Sequence, residues 1–338
     1  MYIFLTNIIL NFFICLFLAF YYRKLTLKNG PLAEVNSRSL HKKPISIGGG
    51  LAIFISMVFA LSCLYIEGNI NSVQLSFYLI GGFTNTIVGF IDDRLKLSPK
   101  YHLGVQIFSS IYIFYNINLF SWINKFNIIL ALKIIFLLTI LFTVLWLFNS
   151  YNFIDGTDGM ALSATIFIGL VMAIIFFLKN DFDLSLILIS LISSSLAFLL
   201  FNKPPAKMFL GDTGIKFIAF IIISVFLESC LRDINYFYNW AILVCLYVSD
   251  TSLTTFIRFL TIKNFWAGHR SHAYQNLARI WRSHTKILQL FMAINLIWSL
   301  PLTLIVFIKP NFSLPIMICA YLPTLLFSYK FGPKFASI

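Results

Sequence analysis

Charge is what this chain has least of. Only 11% of its 338 residues are charged, against 59% hydrophobic and 17% aromatic, and its mean hydropathy is +0.89. An ordinary soluble domain carries about 25% charged residues, so that class is excluded. Cysteine chemistry is absent too: Cys15, Cys63, Cys230, Cys245 and Cys319 fall within or at the ends of apolar segments with no CxxC spacing. Neither a structural metal site nor a disulfide framework follows from them. There is no internal repeat of the kind that marks many secondary transporters, and no low-complexity linker. The first apolar segment, residues 2–22, lacks a basic start and a small-residue cleavage site, and Arg23 and Lys24 follow it directly. It reads as an uncleaved anchor rather than a signal peptide.

What the chain does have is a succession of apolar runs of the length a bilayer requires, roughly 20 residues. Eleven are centred near residues 12, 57, 83, 110, 138, 169, 192, 223, 247, 297 and 321. The expectation is an all-α, polytopic integral membrane protein of about 11 transmembrane helices. The connections leave no room for a separate soluble domain, so residues 1–338 read as one polytopic membrane domain.

The net charge of +13 is an orientation signal rather than a nucleic-acid footprint. Threading eleven spans puts twenty of the 25 Lys and Arg on one side and only Lys125, Lys133, Lys179, Arg232 and Lys309 on the other. By the positive-inside rule the richer side is cytoplasmic. The N-terminus is then outside, and Asp92-Asp93, Asp155 with Asp158, and Asp212 all emerge at the cytoplasmic face.

Acids at the ends of apolar helices are costly, by roughly 2.5–3.5 kcal/mol at mid-bilayer and less near the surface. Asp92 and Asp93 close one run and are followed by Arg94, Lys96 and Lys100, which could simply neutralise a polar cap. The run Asn149 to Gly159 is more specific: Asn149, Asn152 and Asp155 recur at three-residue steps, and Gly156 and Gly159 permit close backbone approach. Lys203, Lys207 and Asp212 accompany Pro204-Pro205 and Gly211, a combination that suits a diphosphate bridged to Mg²⁺. Taken alone, Asp212 could serve only as a helix cap. His269, Arg270 and His272 lie in the longest late loop without a Cys or Glu to complete a zinc set, and phosphate contact is the more natural use. Asp250 lies about two helical turns inside a span, as a functional acid or one half of a structural pair. Tyr274, Leu277, Ile280 and Trp281 recur at helical spacing, as in an interfacial helix or an ordinary surface helix.

In this order the segments resemble the polyprenyl-phosphate N-acetylhexosamine-1-phosphate transferase family, glycosyltransferase family 4. The resemblance rests on Ser39 to Pro44 leading to Gly48-Gly49-Gly50, on Asp92-Asp93 with Leu97 to Lys100 and Gln106, and on Asn149 to Gly159. Pro205-Ala206-Lys207 with Phe209 to Asp212, and the late loop His269 to Gln275, complete it. That loop looks more like the O-antigen-initiating branch than the peptidoglycan branch of phospho-MurNAc-pentapeptide translocases. Four positions depart from the family pattern: Ser46-Ile47 replace Pro-Arg, His102 replaces a basic residue, and Ile215 replaces Ser.

The resemblance implies transfer of sugar-1-phosphate from a cytoplasmic UDP-N-acetylhexosamine to undecaprenyl phosphate, releasing UMP, in a bacterial inner membrane. It implies a catalytic set of Asp92, Asp93, Asp155, Asp158, His269, Arg270 and His272. Substrate contacts fall to Lys43, Asn149, Gly156, Lys207 and Phe209, with Phe209 stacking on uracil. Asp212, helped by Asn152, is the implied ligand of Mg²⁺, or of Mn²⁺ in its place. The partners are the two substrates and the bilayer, with no nucleic acid; a homodimer is compatible with this reading. The rival classes are a secondary transporter, which would place its acids at mid-membrane depth, and a noncatalytic scaffold.

Overall fold

The computed structural model describes residues 2–33, 44–261 and 270–333. Lys43 and His269, with the Ser39 to Lys43 part of the first motif, lie outside the described residues. Among the described residues the chain is helical apart from one small hairpin, in the order α1 (Tyr2–Asn29), β1 (Leu32–Ala33), β2 (Ile45–Ser46), α2 (Gly50–Ile66), α3 (Ser72–Leu95), α4 (Pro99–Asn116) and α5 (Leu119–Asn124). There follow α6 (Leu130–Ile154), α7 (Met160–Leu178), α8 (Phe182–Asn202), α9 (Gly211–Arg232), α10 (Asn235–Thr261), α11 (Ala273–Trp281), α12 (His284–Ile294), α13 (Leu300–Ile308) and α14 (Ser313–Phe331). A π-turn, Asn295–Ser299, joins α12 to α13. Pro301, at the start of α13, has no N–H to continue the regular ladder, and the wider turn absorbs the break.

A helix lies over every one of the eleven apolar runs. Among the described residues nine are long and apolar enough to cross a bilayer, counting α12 to α13 as one; α2, at 17 residues, is a shorter apolar helix, and α4 is not among the nine. The protein is an all-α polytopic membrane protein. Helices α7 and α9 are mostly buried within the bundle, whereas α6 is apolar but little buried over most of its length. Water would penalise so large an apolar face, and lipid does not.

Small residues bring the central helices together. On α3 a Cβ at Gly89 would stand 2.2 Å from the carbonyl oxygen of Asp212, so α3 meets the first turn of α9 backbone to backbone. On α2 a Cβ at Gly50 would stand 2.0 Å from Gly214 Cα, which brings a second helix start against the same turn. Close approach through glycine is how helices pack where no water drives them together. At the far end of α9, Arg232 pairs with Asp181, Asp183 and Glu228 and ties α8 to α9. The two ends of the bundle are thus chemically distinct.

Candidate active site

The first turn of α9 is the centre of the site. Its leading N–H groups have no partner within the helix, and the sequence offers Asp212 as their cap. The structure gives that task to Asp93 instead. Asp93 Oδ1 accepts from the Asp212 N–H at 2.8 Å, while Oδ2 accepts from the Thr213 N–H at 3.1 Å and from Thr213 Oγ1 at 2.6 Å. A carboxylate at the positive end of a helix is favourable, and here it comes from another helix. Asp212 is released from capping, and its carboxylate meets Lys216, one turn further along α9.

Asp92 sits beside this pair. The turn after α3 passes through Lys96 with φ 49°, and Asp92 Oδ1 accepts from the Leu97 N–H at 2.7 Å, which folds α4 back over the end of α3. His102, on the first turn of α4, places Nε2 3.2 Å from Asp92 Oδ1, and Lys216 Nζ lies 4.0 Å from Asp92 Oδ2. One ligand atom from each of Asp92, His102 and Asp212 lies within 4.8 Å of the others. Hard oxygen donors with one imidazole suit a small divalent cation, so the residues present fit the metal that the resemblance implies.

The other motifs gather at this same end. Asp155 follows the end of α6. Burial, then the charges of Asp212, Asp93 and Asp158, hold its carboxyl well above the usual carboxylate range. Asp158 Oδ2 accepts from the Ala206 N–H at 2.9 Å, and its Oδ1 lies 3.1 Å from His284 Nδ1 on α12. Buried Asn202 accepts from the Gly159 N–H at 3.0 Å and donates to the Met208 carbonyl at 3.1 Å, locking the Asp155 to Gly159 turn onto the Pro205 to Asp212 segment. The glycine loop after β2 joins them, because Gly49 N–H donates to the Phe209 carbonyl and Gly50 N–H to that of Leu210. Phe209 is half-buried, Lys207 exposed and Gly156 exposed against the Tyr274 hydroxyl.

Some expected residues have other engagements. Asn149 forms a reciprocal amide pair with Gln106, at 3.3 and 3.2 Å, between α6 and α4. Asn152 is exposed on the last turn of α6. Arg270 is exposed, and its carbonyl accepts from Arg279 at 3.0 Å. His272 is buried, with its ring 5.3 Å from that of Phe153 and Nδ1 3.8 Å from Asp250 Oδ1. Asp250 accepts from the Ala273 N–H at 2.9 Å and the Tyr274 N–H at 3.4 Å, capping α11 from within α10. On α11, Tyr274 and Leu277 are buried in the protein while Ile280 and Trp281 remain exposed, so only its outer edge can face a bilayer surface.

Sequence reasoning gave no role to Lys216, Thr213 or His284. Lys216 was readable, since a Lys four residues after an Asp on a helix lies over it. His284 carried no local signal; its partner Asp158 is 126 residues away.

Fold and site together define a helical membrane protein with an acidic centre at one end of its bundle. Residues 75–229, which hold the five carboxylates at positions 92, 93, 155, 158 and 212, match the model of glycosyl transferase family 4. The chain is 28% identical over 286 residues, 82% of its length and 78% of the relative's, to the probable undecaprenyl-phosphate N-acetylglucosaminyl 1-phosphate transferase of Bacillus subtilis (strain 168). It is 27% identical over 237 residues, 65% of its length and 68% of the relative's, to the phospho-N-acetylmuramoyl-pentapeptide-transferase of Streptococcus suis (strain 05ZYH33). Over residues 75–229 the chain is thus similar to glycosyl transferase family 4, and over most of its length to the two relatives named.

Proposed function

We propose that this protein, acting as one polytopic catalytic unit, transfers N-acetylhexosamine-1-phosphate from a UDP-sugar to undecaprenyl phosphate. The products are UMP and a lipid-linked pyrophosphoryl sugar that starts O-antigen or another surface polysaccharide. The observation that carries the reading is the junction of α3 with the first turn of α9, where Asp92, Asp93, Asp212 and Lys216 meet. The relative matched over the larger share of this chain is named for N-acetylglucosaminyl 1-phosphate transfer, which favours an N-acetylhexosamine over a muramoyl-pentapeptide donor. The cytoplasmic placement of the site, in a bacterial inner membrane, is supported by the twenty basic residues that share its side of the threaded chain.

The chemistry joins two anions. An oxygen of the lipid phosphate attacks the sugar-linked phosphorus of the donor; the bond from that phosphorus to the bridging oxygen breaks, and UMP leaves with the electron pair. A phosphate monoester, with its second pKa about 6, is largely dianionic at neutral pH, so charge neutralisation matters more than deprotonation. Asp212 and Asp92 would hold Mg²⁺, or Mn²⁺ in its place, which supplies positive charge to the donor's diphosphate. Asp93 is a positioning residue, since its carboxylate is consumed by the first turn of α9. Asp92 orients the acceptor phosphate or takes its remaining proton. Lys216 stands ready to pair with phosphate oxygen when Asp212 and Asp92 turn to a cation. Asp155, whose carboxyl burial and the neighbouring carboxylates raise, lies with Gly156 and Asp158 at the nucleotide's seat, and Phe209 offers a ring to uracil. Lys43, Lys207, His269 and Arg270 complete the reading as phosphate contacts, with Asn152 and Asn149 at the mouth of α6, while His272, buried beside Phe153 and Asp250, would support that loop rather than meet phosphate itself.

The test is incubation of the purified protein with undecaprenyl phosphate, Mg²⁺ and a panel of UDP-sugars. UMP should appear with a UDP-N-acetylhexosamine and only when the lipid is present. UMP release confined to UDP-MurNAc-pentapeptide would favour the peptidoglycan reading, and release without lipid would refute transfer.

A further inference from the structure

His102 stands where a cation would be shared. The turn at Lys96, fixed by the bond from Leu97 N–H to Asp92, returns the chain so that the first turn of α4 overlies the end of α3. The His102 imidazole is thereby aimed at the carboxylate that faces Asp212. Its Nε2 lies 3.2 Å from Asp92 Oδ1. Neighbouring ligands of one octahedral ion, each at about 2.1 Å, stand about 3 Å apart. The separation therefore suits two ligands of one ion as well as it suits a hydrogen bond. All three side chains are partly open to water, so an ion can reach them. Lys216 already lies against Asp212, with a positive charge where two carboxylates converge, and its flexible stem allows it to yield that place.

We propose that His102 is a ligand of the metal centre, so that Asp92, His102 and Asp212 form a mixed oxygen and nitrogen site that accepts first-row transition ions as well as Mg²⁺. The inference rests on the reading of Asp92 and Asp212 as cation ligands. A neutral imidazole is a donor for transition ions, while carboxylates alone suit Mg²⁺. The nitrogen therefore sets which ions the centre prefers.

The experiment uses the purified full-length protein in detergent or nanodiscs with Mn²⁺ alone. Pulsed electron paramagnetic resonance of the bound ion should show ¹⁴N modulation from a directly coordinated imidazole. His102→Gln, which retains a side-chain amide able to reach Asp92, should remove that modulation and weaken Mn²⁺ binding by roughly tenfold or more. His102→Asn serves the same purpose should the Gln variant fail to fold. Asp212→Ala should abolish the bound-ion signal. Bound Mn²⁺ that depends on Asp212 but shows no ¹⁴N modulation would overturn the role of His102 and leave the carboxylate centre standing. Modulation that persists in both His102 variants would also overturn it. Absence of any Asp212-dependent Mn²⁺ binding would overturn the metal centre itself, and His102's part with it.

Discussion

Replacing Asp93 separates positioning from chemistry at this site. Its two carboxylate oxygens receive the N–H groups of Asp212 and Thr213 and the Thr213 hydroxyl, at 2.8, 3.1 and 2.6 Å. A hydrogen bond to a charged group contributes about 1.5–3 kcal/mol, and loss of an N-terminal cap costs about 0.5–2 kcal/mol. The three bonds share one acceptor group and do not add. Asp93→Ala should therefore cost ~3 kcal/mol, and Asp93→Asn, which keeps one acceptor oxygen, about half of that. Because the first turn of α9 also carries Asp212, its loosening would displace the residue proposed above as cation ligand. A displacement of about 1 Å in such a site can cost on the order of 10²-fold in rate. Thermal unfolding in detergent and UMP release, measured on the same preparations, should show stability and turnover falling together, with Asp93→Asn intermediate in both. An Asp93→Ala protein with wild-type Tm and abolished kcat would refute this reasoning, since the carboxylate would then be acting on the reacting groups directly.

Three further outcomes follow from the geometry. Gly89→Ala puts a Cβ 2.2 Å from the Asp212 carbonyl oxygen, so α3 and α9 must part; a loss of about 1–3 kcal/mol is expected, with turnover reduced, and an unchanged rate would contradict the backbone contact. Asp155 has its carboxyl raised by burial and by Asp212, Asp93 and Asp158, so the folded state holds a proton that the unfolded chain releases near pH 4. Its contribution to stability falls as pH rises through the interval between the unfolded and folded values; Asp155→Asn should gain Tm over wild type by a margin that widens from about pH 4 upward, and a margin flat with pH would contradict it. Phe209→Ala removes a ring but leaves the main-chain bonds of that residue to Ser46 and Gly49 in place. Stacking on a base contributes about 1–3 kcal/mol, so KM for the UDP-sugar should rise roughly tenfold while Mn²⁺ affinity holds; an unchanged KM would remove Phe209 from the uracil site.

The helical membrane fold was legible because a bilayer demands long apolar runs, and these need no tertiary information to be seen. The carboxylates were legible for the complementary reason: an acid at the end of such a run is expensive and needs a purpose. What the sequence could not supply was the division of labour among them. Asp212, between glycines at the start of a helix, could by itself serve only as a cap, yet that task falls to Asp93, 119 residues earlier. Asp250 reads by depth alone as a functional acid or one half of a structural pair, and only the arrival of α11 against α10 shows that it caps that helix. The three-residue spacing of Asn149 and Asn152 did predict successive turns of α6, but the pairing of Asn149 with Gln106 depends on how α4 packs. His102 was visible as a departure from the family pattern; its distance to Asp92 required the turn at Lys96.

The central claim is that these carboxylates converge to move a sugar together with its phosphate, and the fate of that phosphate tests it most directly. A UDP-N-acetylhexosamine labelled with ³²P at the sugar-linked phosphorus is incubated with the protein, undecaprenyl phosphate and Mg²⁺, and the label is followed into lipid and aqueous products. The account predicts label in the lipid pyrophosphate, unlabelled UMP in equal amount, and neither product with Asp212→Ala. Label that remains in UDP while the sugar reaches the lipid would contradict it.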